Sequence, residues 1–205
     1  MEKDFLLLQM TLAPGAASDI DADCRAFAHA LSVAHGADVS LHRVAMTLDG
    51  IQAYVYLKPS TARVADALEP ELLGTDFAQY NPWARGVRAS WLECRLDLAG
   101  ASQGQSVRFH YVVEMDPEAG WMPEISRWYD TEHLPGLANV EGCVRAMRLV
   151  NHGHGPMSLA CYDLVSQETL GSPPWLAVRA TSWSDITRPH FTNTKRTMFG
   201  VPPAA

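Results

Sequence analysis

The chain has 205 residues, of which 47% are hydrophobic and 19% are charged, a balance that is ordinary for a globular protein. Its formal net charge of −7 argues against a nucleic-acid partner and against an anionic membrane surface. No apolar run approaches the roughly 20 residues that cross a bilayer, so no membrane partner is expected. The four cysteines form no Cys-x-x-Cys pair, and the start is too acidic for a secretory signal. These features predict a cytoplasmic protein with reduced thiols.

The first half of the chain predicts the element order β-α-β-β-α-β. The predicted elements are a strand over 5–12, a helix from a cap at Ser18 or Asp19 to His35, strands over 39–48 and 51–57 around Asp49-Gly50, a helix over 61–73 and a strand over 90–98. This order defines the ferredoxin-like unit.

The second half repeats that order after a small, polar stretch over 100–106, which is the best linker candidate. The predicted elements are a strand over 107–115, a helix over 124–140 that bends or ends near Pro135, strands over 143–150 and 157–165, a helix over 174–181 and a strand over 195–201. Trp83-x4-Arg88 and Trp183-x4-Arg188 occupy matching places, which favours an internal duplication. We expect domains over 1–100, mainly structural, and over 107–205, bearing the site.

The densest cluster of chemically active residues lies in the second half, at Trp128-Tyr129-Asp130-Thr131-Glu132-His133. On a helix Asp130 lies one turn before His133, and a carboxylate there can orient an imidazole and raise its basicity. The same pattern is also typical of a helix end with a solvated carboxylate and a partly buried histidine.

This motif, continued as Leu134-Pro135-Gly136-Leu137 and then Val140-Glu141-Gly142-Cys143, resembles the helix and following strand of EthD-like proteins. These belong to the dimeric α/β-barrel, ferredoxin-like superfamily. The resemblance covers about residues 107–200. It implies a superfamily that includes cofactor-free monooxygenases, polyketide cyclases, decarboxylases, lactone isomerases, haem enzymes and proteins with no assigned activity.

A single ferredoxin-like sheet leaves one face open, and single-repeat members bury that face by dimerising. A tandem chain can bury it internally. We therefore expect an α+β fold in which two ferredoxin-like β-α-β-β-α-β repeats form a pseudo-dimeric α/β barrel. This arrangement still leaves room for a homodimer of the whole chain.

The predicted catalytic residues are His133 as proton carrier, Asp130 as its orienting carboxylate, and His110, Glu114 and His190 around them. Strand periodicity places His110 and Glu114 on one face, where burial would perturb their protonation. Both also suit a buried structural pair, and His190 also suits a packing role.

Trp128 and Tyr129 are predicted to line a pocket for a flat hydrophobic substrate. Arg188 could bind an oxygen anion, although its apparent twin Arg88 favours a structural role for both. His152 and His154 could begin a metal site but lack an obvious third ligand, so no metal is predicted.

These residues favour a cofactor-independent enzyme that moves a proton on a small hydrophobic, cyclic or aromatic, oxygenated metabolite. Isomerisation, dehydration, decarboxylation and cyclisation all belong to this class. Two alternatives remain open. One is a haem-binding enzyme with His133 or His190 as the axial ligand, and the other is a non-catalytic ligand-binding barrel.

Overall fold

A computed structural model describes residues 2–15 and 20–202, so the predicted cap at Ser18 or Asp19 lies outside the described residues. The described residues form an α+β fold with eight strands. They are β1 Phe5–Leu12, β2 Val39–Thr47, β3 Gln52–Pro59, β4 Ala84–Ala99, β5 Phe109–Pro117, β6 Cys143–Asn151, β7 Ser158–Leu164 and β8 Phe191–Gly200. The α-helices are α1 Ile20–His35, α2 Ala62–Ala67, α3 Pro70–Tyr80, α4 Met122–Trp128, α5 Leu134–Ala138, α6 Pro173–Arg179 and α7 Ser182–Thr187.

The chain divides into two compact units. The first contains residues 2–93, 151–154 and 200–202, and the second contains residues 94–150 and 155–199. No described helix has the length and apolar character needed to cross a membrane.

The first unit has the strand order β4-β1-β3-β2. Every recorded pairing in it is antiparallel, as expected for a ferredoxin-like unit. Helix α1 covers the sheet because Cys24, Phe27 and Leu31 recur at helical spacing and are buried. Phe77 meets Phe27 and Trp83 edge to face, so aromatic rings fill the space between sheet and helices.

The second unit has the equivalent order β6-β7-β5-β8, with antiparallel pairing of β7 to both β5 and β6. Its core lies between the sheet and helices α4 to α6, and its largest members are Trp128, Trp175 and Tyr162. The stretch over 100–106 is not a loose linker, because Ala101 and Ser102 donate backbone hydrogen bonds to Ala138 and Cys143.

One helix prediction is wrong in detail, and one helix was not predicted. The helix predicted over 61–73 is two helices, because Leu68 and Glu69 are extended before Pro70, as the residue before a proline prefers. Helix α7 was not predicted. Because α7 ends at Thr187, Arg188 directly follows a helix, whereas Arg88 lies inside β4. The two arginines therefore do not occupy equivalent places.

Candidate functional site

A pocket lies in the second unit between the sheet and the helices. We call it the arginine pocket, and it is lined by Tyr111, Val113, Trp128, Tyr129, His133, Leu137, Tyr162, Trp175, Arg179, Arg188, Phe191 and Arg196. Its closed volume is about 30 Å³, room for about one or two water molecules. The wider depression measures about 360 Å³, including space open to solvent.

The helical wall of the pocket contains one π-helical turn, Tyr129–His133, between α4 and α5. The Leu134 N–H donates to the carbonyl of Tyr129, five residues back. Pro135 has no N–H to donate, and the Thr131 hydroxyl donates to the Arg127 carbonyl at 2.7 Å, so the ordinary α-helical ladder is interrupted here. π-Bulges occur frequently at functional sites.

The π-turn explains the position of His133. Five residues span about 140° beyond one turn of an α-helix, so Trp128 and His133 would face different directions in regular helix. Here their rings stack, with centroids 4.1 Å apart and planes at 21°. Tyr129 meets the same imidazole edge to face at 5.5 Å. His133 is 7% exposed, and its Nδ1 has no hydrogen-bond partner within the described part of the chain.

Electrostatics keep this imidazole neutral. Burial, reinforced by the positive charges of Arg179 and Arg188, lowers the pKa of His133 from 6.5 to about 3. Burial likewise raises the pKa of Tyr111, Tyr129 and Tyr162, so all three keep their phenolic proton at neutral pH.

Three arginines give the pocket its charge. Arg179 ends α6, Arg188 follows α7 and Arg196 lies on β8, and no carboxylate lines the pocket with them. The salt bridges recorded among the described residues use other arginines. Burial and the two neighbouring guanidinium groups lower the pKa of Arg188, and Asp185 opposes this only in part. The pocket is therefore cationic and incompletely neutralised.

The structure places His133 and the predicted binding residues Trp128, Tyr129 and Arg188 on the pocket wall. Their roles stay predictions. The pocket lining does not include the other four predicted site residues, which are Asp130, His110, Glu114 and His190. The expectation of one shared site is therefore wrong.

Asp130 does not orient His133. Its carboxylate accepts a hydrogen bond from Arg148 at 2.9 Å and is 42% exposed, whereas Arg148 is buried. The π-turn removes the helical register that would have placed Asp130 below the imidazole.

His110 and Glu114 lie on the opposite face of β5 from Tyr111 and Val113, because strand side chains alternate. Both are buried. His110 Nδ1 lies 2.8 Å from Asp163 Oδ1, and Glu114 lies 3.8 Å from Lys195. The two residues therefore share a polar, buried face of the sheet that is separate from the arginine pocket.

His190 lies next to pocket residues but does not line the pocket. Its ring stacks on Trp121 with centroids 3.3 Å apart, and its Nδ1 lies 2.6 Å from Glu118 Oε2.

Sequence reasoning missed Arg179, Arg196, Tyr111 and Tyr162 as pocket residues. The strand alternation that put Tyr111 on one face could have suggested a tyrosine-lined wall, since Tyr162 pairs directly with it. The convergence of the arginines depends on α6, α7 and β8 meeting in space and has no local signal. Among the described residues, no group of three or more His, Cys, Asp or Glu could hold a metal ion.

Comparison with known proteins identifies the fold of this chain but does not assign it to a family. No family description and no curated protein matches the sequence. Among solved structures, a putative monooxygenase from Lactobacillus acidophilus NCFM has a TM-score of 0.62 at 13% identity, covering 98% of this chain and 99% of that chain. An anthrone oxidase-like protein has a TM-score of 0.56 at 13% identity, with coverages of 98% and 92%.

A mutant chlorite dismutase from Candidatus Nitrospira defluvii, in complex with cyanide, has a TM-score of 0.60 at 10% identity, with coverages of 99% and 92%. These likenesses show the fold, that of the ferredoxin-like dimeric α/β-barrel class.

The prediction of a cofactor-independent isomerase or lyase is wrong. The neighbouring structures are named as monooxygenases and chlorite dismutases, and the haem-binding alternative agrees with them better. The site gives a physical reason as well. An efficient proton carrier has a pKa near the working pH, whereas that of His133 lies near 3 with no carboxylate beside it.

Proposed function

We propose that the arginine pocket binds a compact, flat, anionic, oxygenated molecule and that the protein oxidises this molecule with dioxygen, as an enzyme of the monooxygenase kind. The observation that carries the proposal is the set of three arginines around one aromatic-lined cavity, with no carboxylate among the described residues that line it.

Charge and shape support the binding half of the proposal. Three guanidinium groups that face one space repel one another, and an anion relieves this repulsion while accepting charge-assisted hydrogen bonds. Trp128, Trp175 and Phe191 offer the faces and edges on which a planar ring packs. The closed part of the pocket is only about 30 Å³, far below the roughly 300–1,000 Å³ of ligand pockets, so a bound ring must lie partly in the open depression, which favours a compact, single-ring molecule.

The oxidation half rests on the same charge. Nearby arginines favour the ionised form of a phenol or enol, and this anion is richer in electrons than its neutral acid and so reacts more readily with dioxygen. For a phenol the overall reaction needs no other reductant: a ring carbon gains one oxygen atom of O2, the phenol loses two hydrogens and becomes a quinone, and the second oxygen atom leaves as water. The names of the neighbouring structures, a putative monooxygenase and an anthrone oxidase-like protein, support this reaction class.

The test combines binding with oxygen uptake. Single-ring phenols, quinols and benzoates would be titrated against the tryptophan fluorescence of the protein, to which the pocket residues Trp128 and Trp175 contribute, and oxygen consumption would be followed with an electrode. Arg188→Gln should weaken anion binding about tenfold or more, since hydrogen bonds to charged groups contribute about 1.5–3 kcal/mol.

Arg127→Gln is the matched control, because that arginine is 65% exposed and pairs with Glu124 outside the pocket. Equal affinity for anions and for their neutral amides would refute the anion site. Binding without oxygen uptake by any compound would refute the oxidation and leave a ligand-binding protein.

Haem binding with His133 as the axial ligand is the second candidate. A neutral imidazole is the form that binds a transition metal, and the unpartnered Nδ1 of His133 suits this role. The arginines could pair with the carboxylates of the group. The space does not fit, because the closed volume is about 30 Å³ and the rings of Trp128, Trp175 and Tyr162 are fully buried around it.

No reaction step through haem follows from this geometry. A haem titration decides the matter, since a stoichiometric Soret band that disappears in His133→Ala would establish this candidate. The alternative ligand His190 is held by Glu118 and Trp121 outside the pocket.

We also infer that the chain is an EthD-like protein with an internal duplication, whose repeats over 1–100 and 107–205 form a pseudo-dimeric α/β barrel. Strand register supports the duplication: the pairs Leu6–Leu57 and Leu8–Val55 map onto Tyr111–Tyr162 and Val113–Ala160 at one constant offset, since 111 − 6 and 162 − 57 are both 105.

A second similarity between the two units involves Trp83 and Trp183, the tryptophans of the two Trp-x4-Arg sequences. Trp83 Nε1 donates to Asp23 and Trp183 Nε1 donates to Glu124, each at 2.8 Å and each to the first turn of its unit's first helix. In the first unit, aromatic rings fill the space that the pocket occupies in the second, which supports a mainly structural first repeat.

A further inference from the structure

We propose that the molecule bound in the arginine pocket carries, besides its anionic group, an uncharged carbonyl oxygen that is recognised at the buried end of the pocket by Trp128, Trp175 and His133. This inference rests on the proposed function and adds a second point of recognition to it.

The wall of the arginine pocket includes residues with a buried, unsatisfied polar atom. Among the described residues of the second unit, four have a buried side-chain nitrogen without a hydrogen-bond partner, at Trp128, His133, Arg148 and Trp175. Three of these four line the arginine pocket. Buried polar groups are nearly always satisfied, and each exception needs an explanation. A shared absent partner explains three exceptions at once.

The chemistry of these atoms defines that partner. An indole N–H donates and cannot accept, so Trp128 and Trp175 both require an acceptor. One carbonyl oxygen has two lone pairs and can satisfy two donors. The neutral imidazole of His133 can donate or accept according to its tautomer.

Position explains why this acceptor should be uncharged. Trp128 and Trp175 are each 1% exposed, so an anion placed against them would lose its hydration. The arginines are half-buried or exposed and take the charge at the other end. The pocket is therefore polarised, with anion recognition at the rim and neutral-acceptor recognition inside. Its ligand class is a planar acid with a conjugated ketone or aldehyde, such as an acyl-substituted benzoate or phenolate.

The test uses matched probes on the full chain. 3- and 4-Acetylbenzoate carry both groups, 3- and 4-isopropylbenzoate keep the size and charge without the acceptor, and the acetylbenzamides keep the acceptor without the charge. Calorimetric titration should show the better acetylbenzoate binding about tenfold or more tightly than its isopropyl counterpart. Trp175→Phe should lower that ratio, because only the Trp128 N–H then remains as an indole donor, whereas Arg188→Gln should weaken both acids and leave the ratio unchanged.

A measurement on the unmutated protein guards against a variant that fails to fold. In amide-detected NMR, the indole N–H signals of Trp128 and Trp175 should move downfield with the acetylbenzoate and stay in place with the isopropylbenzoate. Equal affinity of the two acids, with unmoved indole signals, would overturn this inference and leave the anion site intact. Failure of both acids to bind would overturn the proposed function instead.

Discussion

Replacing Gly136 by alanine tests how closely the helices around the pocket are packed. Gly136 lies in α5, and a Cβ there would lie 2.8 Å from Val178 Cγ1 and 3.2 Å from Cγ2 on α6. Ordinary contact begins at 3.4 Å, so α6 would have to shift by about 0.6 Å, the difference between 3.4 and 2.8. Because α6 also carries Trp175 and Arg179, the shift would reach the pocket.

The magnitude follows from two opposing terms. Alanine in a helix interior is favoured over glycine by roughly 0.5–1 kcal/mol, and overpacking costs about 1–3 kcal/mol. A net loss of about 1–2 kcal/mol in the free energy of unfolding is expected, or roughly 2–8 °C in Tm for a chain of this size. Affinity for acetylbenzoate should fall as Arg179 and Trp175 move.

Thermal unfolding and calorimetric titration measure both effects. Adding Val178→Ala removes the two clashing methyl groups and should restore affinity in Gly136→Ala. Gly171→Ala is the control, since nothing lies within 4 Å of the added Cβ and no effect on binding is expected. A Gly136→Ala protein with unchanged Tm and unchanged affinity would show that α5 and α6 are not in close contact and would refute the reasoning.

Three further outcomes are expected. The pKa of His133 is depressed in the folded protein, so its contribution to stability is complete above about pH 6.5 and is lost as pH falls toward 3. The free energy of unfolding, measured by urea titration, should therefore fall more steeply with acidification in wild type than in His133→Gln, by up to roughly 1.4 kcal/mol per pH unit. Parallel curves for the two proteins would contradict the buried neutral imidazole. Arg188→Gln should raise the pKa of His133, because Arg188 is one of the charges that lower it, and an NMR titration of the imidazole that shows no change would refute that coupling. Gly153→Ala should destabilise by about 1–3 kcal/mol in thermal unfolding, since its Cβ would lie 2.6 Å from Ser90 Oγ and 3.1 Å from Ser90 Cα, and an unchanged Tm would show that this loop has room to adjust.

The order of strands and helices could be predicted because it depends on local signals. The apolar run of β1, the stripe of α1 and the Asp49-Gly50 turn, where Gly50 has φ +70°, all act within a few residues. The duplication that relates the two units is less local, and the sequence suggested it through the repeated element order and the Trp83 and Trp183 pair, without giving the register offset of 105.

The candidate site was harder to predict because it depends on helix geometry and on distant contacts. An α-helical register over 129–133 places Asp130 beneath His133, whereas the π-turn places Trp128 there instead. The alternation in β5 was predicted correctly, but nothing local showed which of its two faces borders the pocket. Arg179 and Arg196 are separated in sequence and meet only through tertiary packing.

The π-turn also makes the site depend on the number of residues in this turn. Each residue advances an α-helix by about 100°, so the extra residue in this turn sets the phase of everything that follows it. Leu134, Leu137 and Ala138 are buried in the phase that the turn creates. Thr131 is exposed, so most substitutions there would disturb no packing, whereas its deletion would rotate His133 and all of α5 about the helix axis. In relatives of this protein, a one-residue gap at this point would therefore mark a different pocket more reliably than any single replacement.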